Sequence, residues 1–320
     1  LQVRGRFDAF YASELEPWAK ELTGTLGKAP GWDPLAHAVA GAHDRGLELH
    51  AWANVYALWQ GKRTPTSVGV PHPFATHPDW TIADDAGHTS DASLSYRFAS
   101  PGNPEVREHL VKVFDDIDQR YDIDGLHLDY VRYPGKKWGY DEASKAAAGQ
   151  APDFDEWRRE AIRATVAAID EAVEAPLTGA TWGVHDDRWG WGLKGASGYH
   201  AYFQDAHGML AAGSLVATAP MIYWTVKEPG QRLDFATLVQ DHVAHRGPGQ
   251  VWAGIDAHKL SADETMACID AARAAGADGI MLFEFKAVRD KGLVKRLAEE
   301  AFAKPRTVER VLPPEGARAP

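Results

Sequence analysis

Two apolar patterns alternate along the chain. Dense short runs lie near 1–8, 46–54, 123–131, 179–185, 215–224, 250–256 and 279–285, and these read as strands. Between them, apolar positions recur every three or four residues. Val106, Leu110, Val113 and Ile117 form one such series, and Trp157, Ala161, Thr165 and Ile169 another. That spacing puts each series on one face of a helix. Helix starts are marked by Asp33-Pro34 and Asn103-Pro104, an N-cap followed by proline, and by Ser261 with Glu264, a capping box.

Strand and helix in alternation predict a parallel sheet with helices outside it. The turns from helix to strand are short, as at Arg45-Gly46. The segments after the strands are long: 55–102, 132–152 and 185–199. A (β/α)8 TIM-type barrel has this asymmetry, with its chemistry at the carboxyl ends of the strands. An open doubly wound sheet is the alternative, but "VRGRFDAFYAS" is not the glycine-rich phosphate turn it would carry. Seven strands are legible where a barrel needs eight. The eighth is expected upstream of Leu1 or, by a circular shift, at 306–312. The barrel is expected to occupy 1–304 and a tail or linker 305–320, with a further domain possible beyond it.

Polar residues interrupt the strands in a regular way. In "GLHLDYV", Leu126, Leu128 and Tyr130 are expected to face the helices, and His127 and Asp129 the barrel axis. In "LELHAWAN", Glu48, His50, Trp52 and Asn54 share the inner face. Arg4, Arg6 and Asp8 share a face at the start of the chain. Asp256 with His258, Glu284, and Tyr223 with Trp224 stand at the ends of later strands. A barrel with a purely structural interior would fill these positions with aliphatic layers. Each residue taken alone has a plain structural reading: a hydrogen-bonded core histidine, an Arg4–Asp8 or Asp129–Arg132 ion pair, a cap at Asp256. Their convergence on one end argues for a site.

Composition narrows the partners. A formal charge of −11 disfavours nucleic acid, and no apolar stretch approaches a transmembrane length. One cysteine, Cys268, excludes an internal disulfide and fits a core position. Twelve tryptophans supply flat apolar faces suited to sugar rings, although most are expected to be structural. The chain begins without methionine or a signal-like apolar run, as a mature or trimmed segment would.

"VRGRFDAFYAS", "GWDPLAHAVAGAHDRGLELHAWANVY", "DGLHLDYVRYP", "PMIYW" and "GIMLFEFK" together resemble the glycosyl-hydrolase-like family ten of bacterial proteins, over roughly residues 1–300. The resemblance implies a TIM-type barrel whose first strand precedes "LQVRGR". It also implies hydrolysis of a polysaccharide, with bacterial cell-wall glycan as a candidate, and an extracytoplasmic location, secreted, periplasmic or lipid-anchored. The family's strand-four aspartate maps onto Asp129 and its strand-three asparagine onto Asn54. The chain departs from the family at Asp256, where a small residue is expected, and at Glu284, where serine is common.

Glycosidic cleavage needs one carboxyl group to protonate the leaving oxygen and another to attack or to activate water. Asp129 is the expected nucleophile or base. Glu284 is the expected acid, with Asp256 in reserve. Arg4, Asp8, Trp52, Asn54, His127, Arg132, His185, Tyr223 and Trp224 are expected to hold substrate, and no cofactor or metal is expected. Two alternatives use the same residues. One is a metal-dependent hydrolase built on His127, Asp129, His185, Asp256 and His258. The other is a glycan-binding barrel without catalysis. Segment 55–102 is expected to wall the cleft, and 135–152 to contain a short helix.

Overall fold

The computed structural model describes residues 1–92, 94–226 and 234–303. They fall into two compact units that divide at Leu177/Thr178. In the first, β1 (Gln2–Arg4), β2 (His50–Asn54) and β5 (Gly125–Asp129) lie side by side in that order, all parallel. A short antiparallel pair, β3 (Ala57–Trp59) with β4 (Arg97–Phe98), lies within the long segment after β2. In the second, β6 (Leu177–Trp182), β7 (Ala217–Met221), β8 (Gln250–Asp256) and β9 (Gly279–Phe283) are again parallel and in order. Helices Pro34–His43, Pro104–Arg120, Phe154–Ala172, Phe235–Ala244 and Ala262–Ala274 are the longest between them. The topology is that of a (β/α)8 barrel, with seven parallel strands among the described residues. The alternative strand at 306–312 lies outside them.

The helices start where their caps dictate. Asp33 accepts from the N–H groups of Leu35 and Ala36, Asn103 from that of Glu105, and Ser261 and Glu264 close a reciprocal capping box. Val106, Leu110, Val113 and Ile117 are fully buried, as is Ile169 of the next long helix. Each such side chain contributes about 1.5–3 kcal/mol of burial free energy. Cys268 is buried, and its Sγ donates to the carbonyl of Trp224.

Two glycines at strand starts make room for rings on the neighbouring strand. Gly125 pairs in register with His50, and a Cβ on Gly125 would lie 2.6 Å from the imidazole. Gly279 pairs with Trp252, and a Cβ there would lie 2.6 Å from the indole. The sheet therefore seats large inward side chains beside positions where the partner strand has none.

Strands end sooner than the apolar runs do. The chain leaves β1 at Arg4 and folds back: Phe7 takes a left-handed backbone (φ 55°), Ala9 bridges Arg4 antiparallel, and the Phe10 N–H donates to the Val3 carbonyl. Arg6 and Asp8 are thus not strand residues, and the alternation predicted through them does not hold. In β5 the strand stops at Asp129 because Tyr130 is also left-handed (φ 52°). Tyr130 leaves the outer face predicted for it and packs on Tyr96 and Phe98 of the long segment after β2.

That long segment lies over the carboxyl ends of β1 and β5. The His72 ring contacts the carbonyl of Arg6, just beyond β1. The N–H groups of Gly139 and Tyr140, beyond β5, both donate to the Ala83 carbonyl. Segment 135–152 contains the expected short helix, Glu142–Ala148.

Candidate active site

In the first unit, Asp129 is the last residue of β5 and pairs in register with Asn54, the last residue of β2. The Val55 N–H donates to the Asp129 carbonyl at 2.7 Å and locks the two tips together. The Asp129 carboxylate is held at Oδ1, which accepts from the Tyr130 N–H at 2.6 Å and lies 3.5 Å from Arg132 Nη1. The side chain keeps 12% exposure, so it is set into the wall and still open to solvent. Arg132 also lies over the Tyr130 ring, its Cζ 4.5 Å from the centroid. A non-glycine residue in the left-handed region costs of order 1–3 kcal/mol. Phe7 beside Asp8 and Tyr130 beside Asp129 put that strain next to two of the predicted carboxylates.

Asn54 is buried. Its Nδ2 donates to the Gly5 carbonyl at 3.0 Å, and its Oδ1 has no hydrogen-bond partner among the described residues. His127 pairs in register with Trp52 and is 7% exposed. Burial, helped by the neighbouring His50, pushes the His127 ring down to about 3, so it is neutral at ordinary pH. Asp8 is fully buried, accepts from the Arg6 N–H at 2.9 Å and faces the Arg6 guanidinium at 3.5 Å. Burial raises its carboxyl above the usual range despite Arg6.

Arg4 is placed differently from its predicted role. It is fully buried and pairs with Glu16, not Asp8. Its Nη1 donates to the carbonyls of Asn54 and Val55, so the guanidinium ties β1 to the tip of β2. Glu16 also receives His109 at 2.9 Å. Neither Glu16 nor His109 was singled out from the sequence. Both come from segments without strand pattern, and no local signal marks them.

In the second unit, the ends of β7, β8 and β9 gather a second set. Asp256 and Phe283 are register partners, and the rings of Phe283 and Tyr223 lie side by side at 6.0 Å. Lys259 Nζ is 5.8 Å from the centre of the Tyr223 ring and 3.2 Å from Asp256 Oδ2. Asp256 Oδ1 accepts from the N–H groups of His258 and Lys259. Both oxygens of Asp256, 2% exposed, therefore serve the turn after β8. Glu284 follows Phe283, is half-buried, and precedes helix Phe285–Asp290 without capping it through its side chain. Trp224 is half-buried over Gly183, where a Cβ would come within 2.9 Å of its ring.

His185 joins a different neighbourhood. It stacks on His207 at 3.7 Å and lies 6.5 Å from His242. Burial takes His185 down to about 3 and His242 to about 4. Of the metal-ligand set read from the sequence, Asp256 Oδ1 meets the backbone of His258 and His185 meets other histidines. The group whose ligand atoms gather among the described residues is His207, Asp241 and His245, none of them in that set.

The chain has clear relatives. The model of the family described as Glycosyl hydrolase-like 10 matches residues 1–268. "Glycosyl hydrolase YngK" of Bacillus subtilis is 30% identical over 276 residues, 82% of this chain and 52% of that protein. "Glycosyl hydrolase DigH" of Escherichia coli is 26% identical over 280 residues, 81% of this chain and 62% of that protein. The chain thus spans about half to three-fifths of the length of these curated relatives. Among solved structures, the PgaB (BpsB) glycoside hydrolase domain from Bordetella bronchiseptica superposes with a TM-score of 0.68 at 12% identity, covering 93% of this chain and 86% of that one. Alpha-L-fucosidase isoenzyme 2 from Paenibacillus thiaminolyticus gives 0.56 at 15% identity, covering 94% and 44%. At these identities the two structures speak for the fold.

Proposed function

The chain belongs to the glycosyl hydrolase-like 10 family, and from that premise we propose that it hydrolyses glycosidic bonds in a bacterial polysaccharide, with the glycan strands of peptidoglycan as the first substrate to test. The reading rests on Asp129: a carboxylate at a strand tip, anchored through Oδ1, open to solvent, and followed by a strained residue. A fixed, partly desolvated carboxylate of this kind can attack an anomeric carbon or activate water against it. The Tyr130 N–H and Arg132 orient it. Asn54, with an unpartnered buried Oδ1 one strand away, supplies an acceptor for a sugar hydroxyl.

For the acid we assign Glu284 over Asp256. A general acid must present a proton to the leaving oxygen. Both oxygens of Asp256 hold the turn after β8, whereas Glu284 has no capping duty. Tyr223, beside Phe283, is placed to meet a sugar face, and Trp52, His127, Arg132 and Trp224 complete the proposed substrate contacts. His127 acts there as a neutral hydrogen-bonding group. Arg4 holds the tip of β2, and Asp8 holds the turn after β1. The proposed location is extracytoplasmic, where such a glycan is found.

The test is a panel of defined glycans, including peptide-free wall strands, incubated with the wild-type chain, Asp129→Asn and Glu284→Gln. Turnover by the wild type, with losses of about 100- to 10,000-fold in both variants, is expected. Equal turnover by all three would remove the assignment. Glycan binding without turnover, unchanged in Asp129→Asn, would make the chain a binding module.

A further inference from the structure

The structure also carries a histidine-rich cluster that the glycosidase chemistry does not use. One ligand atom from each of His207, Asp241 and His245 lies within 4.8 Å of the others. His207 lies on helix Ala206–Ala211. Asp241 lies on helix Phe235–Ala244, and His245 at its C-terminal cap. We propose that these three residues form a transition-metal site, with zinc as the ion their donor set fits best.

The hydrogen bonds fix which ring nitrogens are free. His242 Nε2 meets the carbonyl of Gly183 at 3.2 Å, and a carbonyl only accepts, so this nitrogen carries the proton. His242 Nδ1 must then accept, and it does so from His207 Nε2 at 3.3 Å. The lone pair of His207 is left on its other nitrogen. His245 Nδ1 likewise donates to the Asp241 carbonyl at 2.7 Å, which puts the lone pair of His245 on Nε2. Metal-ligating histidines are typically oriented by backing of this kind, with one N–H given to a protein acceptor and the other nitrogen open. The third donor is a carboxylate whose side chain is 3% exposed and whose Oδ2 has no hydrogen-bond partner among the described residues. A buried carboxylate oxygen without a donor is costly, and a bound cation satisfies it.

A cation already occupies part of this position. Arg188 Nη1 is 3.0 Å from Asp241 Oδ1 and 3.2 Å from His245 Nε2. Its side chain is 40% exposed, so it can swing into solvent. Two imidazoles and one carboxylate make a borderline donor set, for which zinc is the common choice, with water as fourth ligand. Ligand distances of about 2.0–2.2 Å require the three donors to close in after Arg188 leaves. His245, 39% exposed, has the freedom to move.

The probe is zinc itself, titrated into the chelator-treated, folded chain by calorimetry, with metal content measured after dialysis. One zinc per chain is expected. Asp241→Asn and His245→Gln should each weaken binding by at least 10-fold, and Arg188→Ala should strengthen it by removing the competing cation. Circular dichroism on each variant confirms that it is folded, and Arg188→Ala, a change at an exposed side chain, tests the site without touching a ligand. Folded wild type that takes up no zinc, or uptake that is equal in wild type and all three variants, overturns the proposal.

Discussion

The guanidinium of Arg4 and the carboxylate of Glu16 meet as a two-pronged pair, Nε to Oε2 at 2.8 Å and Nη2 to Oε1 at 2.7 Å, with neither side chain exposed. Burial alone would push the Glu16 carboxyl up. The charge of Arg4 and the hydrogen bonds from His109 and Arg4 outweigh it and bring it down to about 2. Because Arg4 also holds the carbonyls of Asn54 and Val55, the pair sets where the tip of β2 stands.

Breaking this pair from one side leaves a buried charge without its counter-ion. Glu16→Gln is expected to destabilise the chain by about 3–5 kcal/mol, measured by urea unfolding at pH 7. The folded value lies below the unfolded one near 4.5, so the carboxylate's contribution is complete above that pH. It is lost as pH falls from about 4.5 toward 2. Glu16→Gln should therefore differ from wild type less at pH 3 than at pH 7, and an equal difference at both would contradict the assignment.

The buried histidines of the first unit act in a higher pH window. Burial lowers His127 to about 3 and His72 to about 4. The unfolded chain binds protons on these rings below about 6.5 while the folded chain does not. Stability is therefore full above that pH and falls as pH drops toward the folded values. Each ring accounts for up to about 2 kcal/mol between pH 7 and 5. His127→Gln should flatten the pH dependence in this interval by about that amount, and an unchanged slope would mean that His127 titrates normally in the fold.

Asp256 and Glu284 separate by different readouts. In Asp256→Asn the remaining side-chain oxygen still accepts from His258 and Lys259, and only the pairing with a largely exposed lysine is lost. Activity within several-fold of wild type is expected, with a stability change under about 1 kcal/mol. Glu284→Gln should show the reverse: unchanged stability and activity reduced at least about 100-fold. Glycan turnover and thermal unfolding on the same two proteins decide the matter, and a larger activity loss in Asp256→Asn would exchange the roles.

What the sequence shows plainly is what local chemistry controls. Asp33, Asn103 and Ser261 begin helices because their oxygens reach free N–H groups two or three residues away. Period-two alternation puts Asn54 and Asp129 on one face of the sheet, and both end regular strands that pair in register. The same rule fails at Asp8 and Tyr130, because Phe7 and Tyr130 adopt left-handed backbones that no apolar pattern encodes. The partner of Arg4, Glu16, sits twelve residues away in a loop, where no strand pattern points to it. The His207, Asp241 and His245 group is hidden in the sequence for a similar reason. Asp241 and His245 are four apart near the end of one helix, but the third ligand comes from a separate short helix.

Gly125 offers a test of the packing that supports the site. Its register partner His50 lays an imidazole where a Cβ would stand, 2.6 Å from Nδ1 and 2.7 Å from Cε1. A Cβ essentially never makes contacts that short, so Gly125→Ala must move either the ring or the strand. The ring also meets Glu48, whose carboxylate lies 3.3 Å from Nε2. Moving β5 instead would shift Asp129, four residues along the same strand and bonded through its carbonyl to Val55. Overpacking of this kind costs about 1–3 kcal/mol. Gly125→Ala should thus lower stability by that amount and reduce glycan turnover as well, whereas the double variant Gly125→Ala/His50→Ala, which empties the ring's space, should recover most of the activity. A Gly125→Ala protein with wild-type stability would show that His50 does not occupy the space beside this glycine.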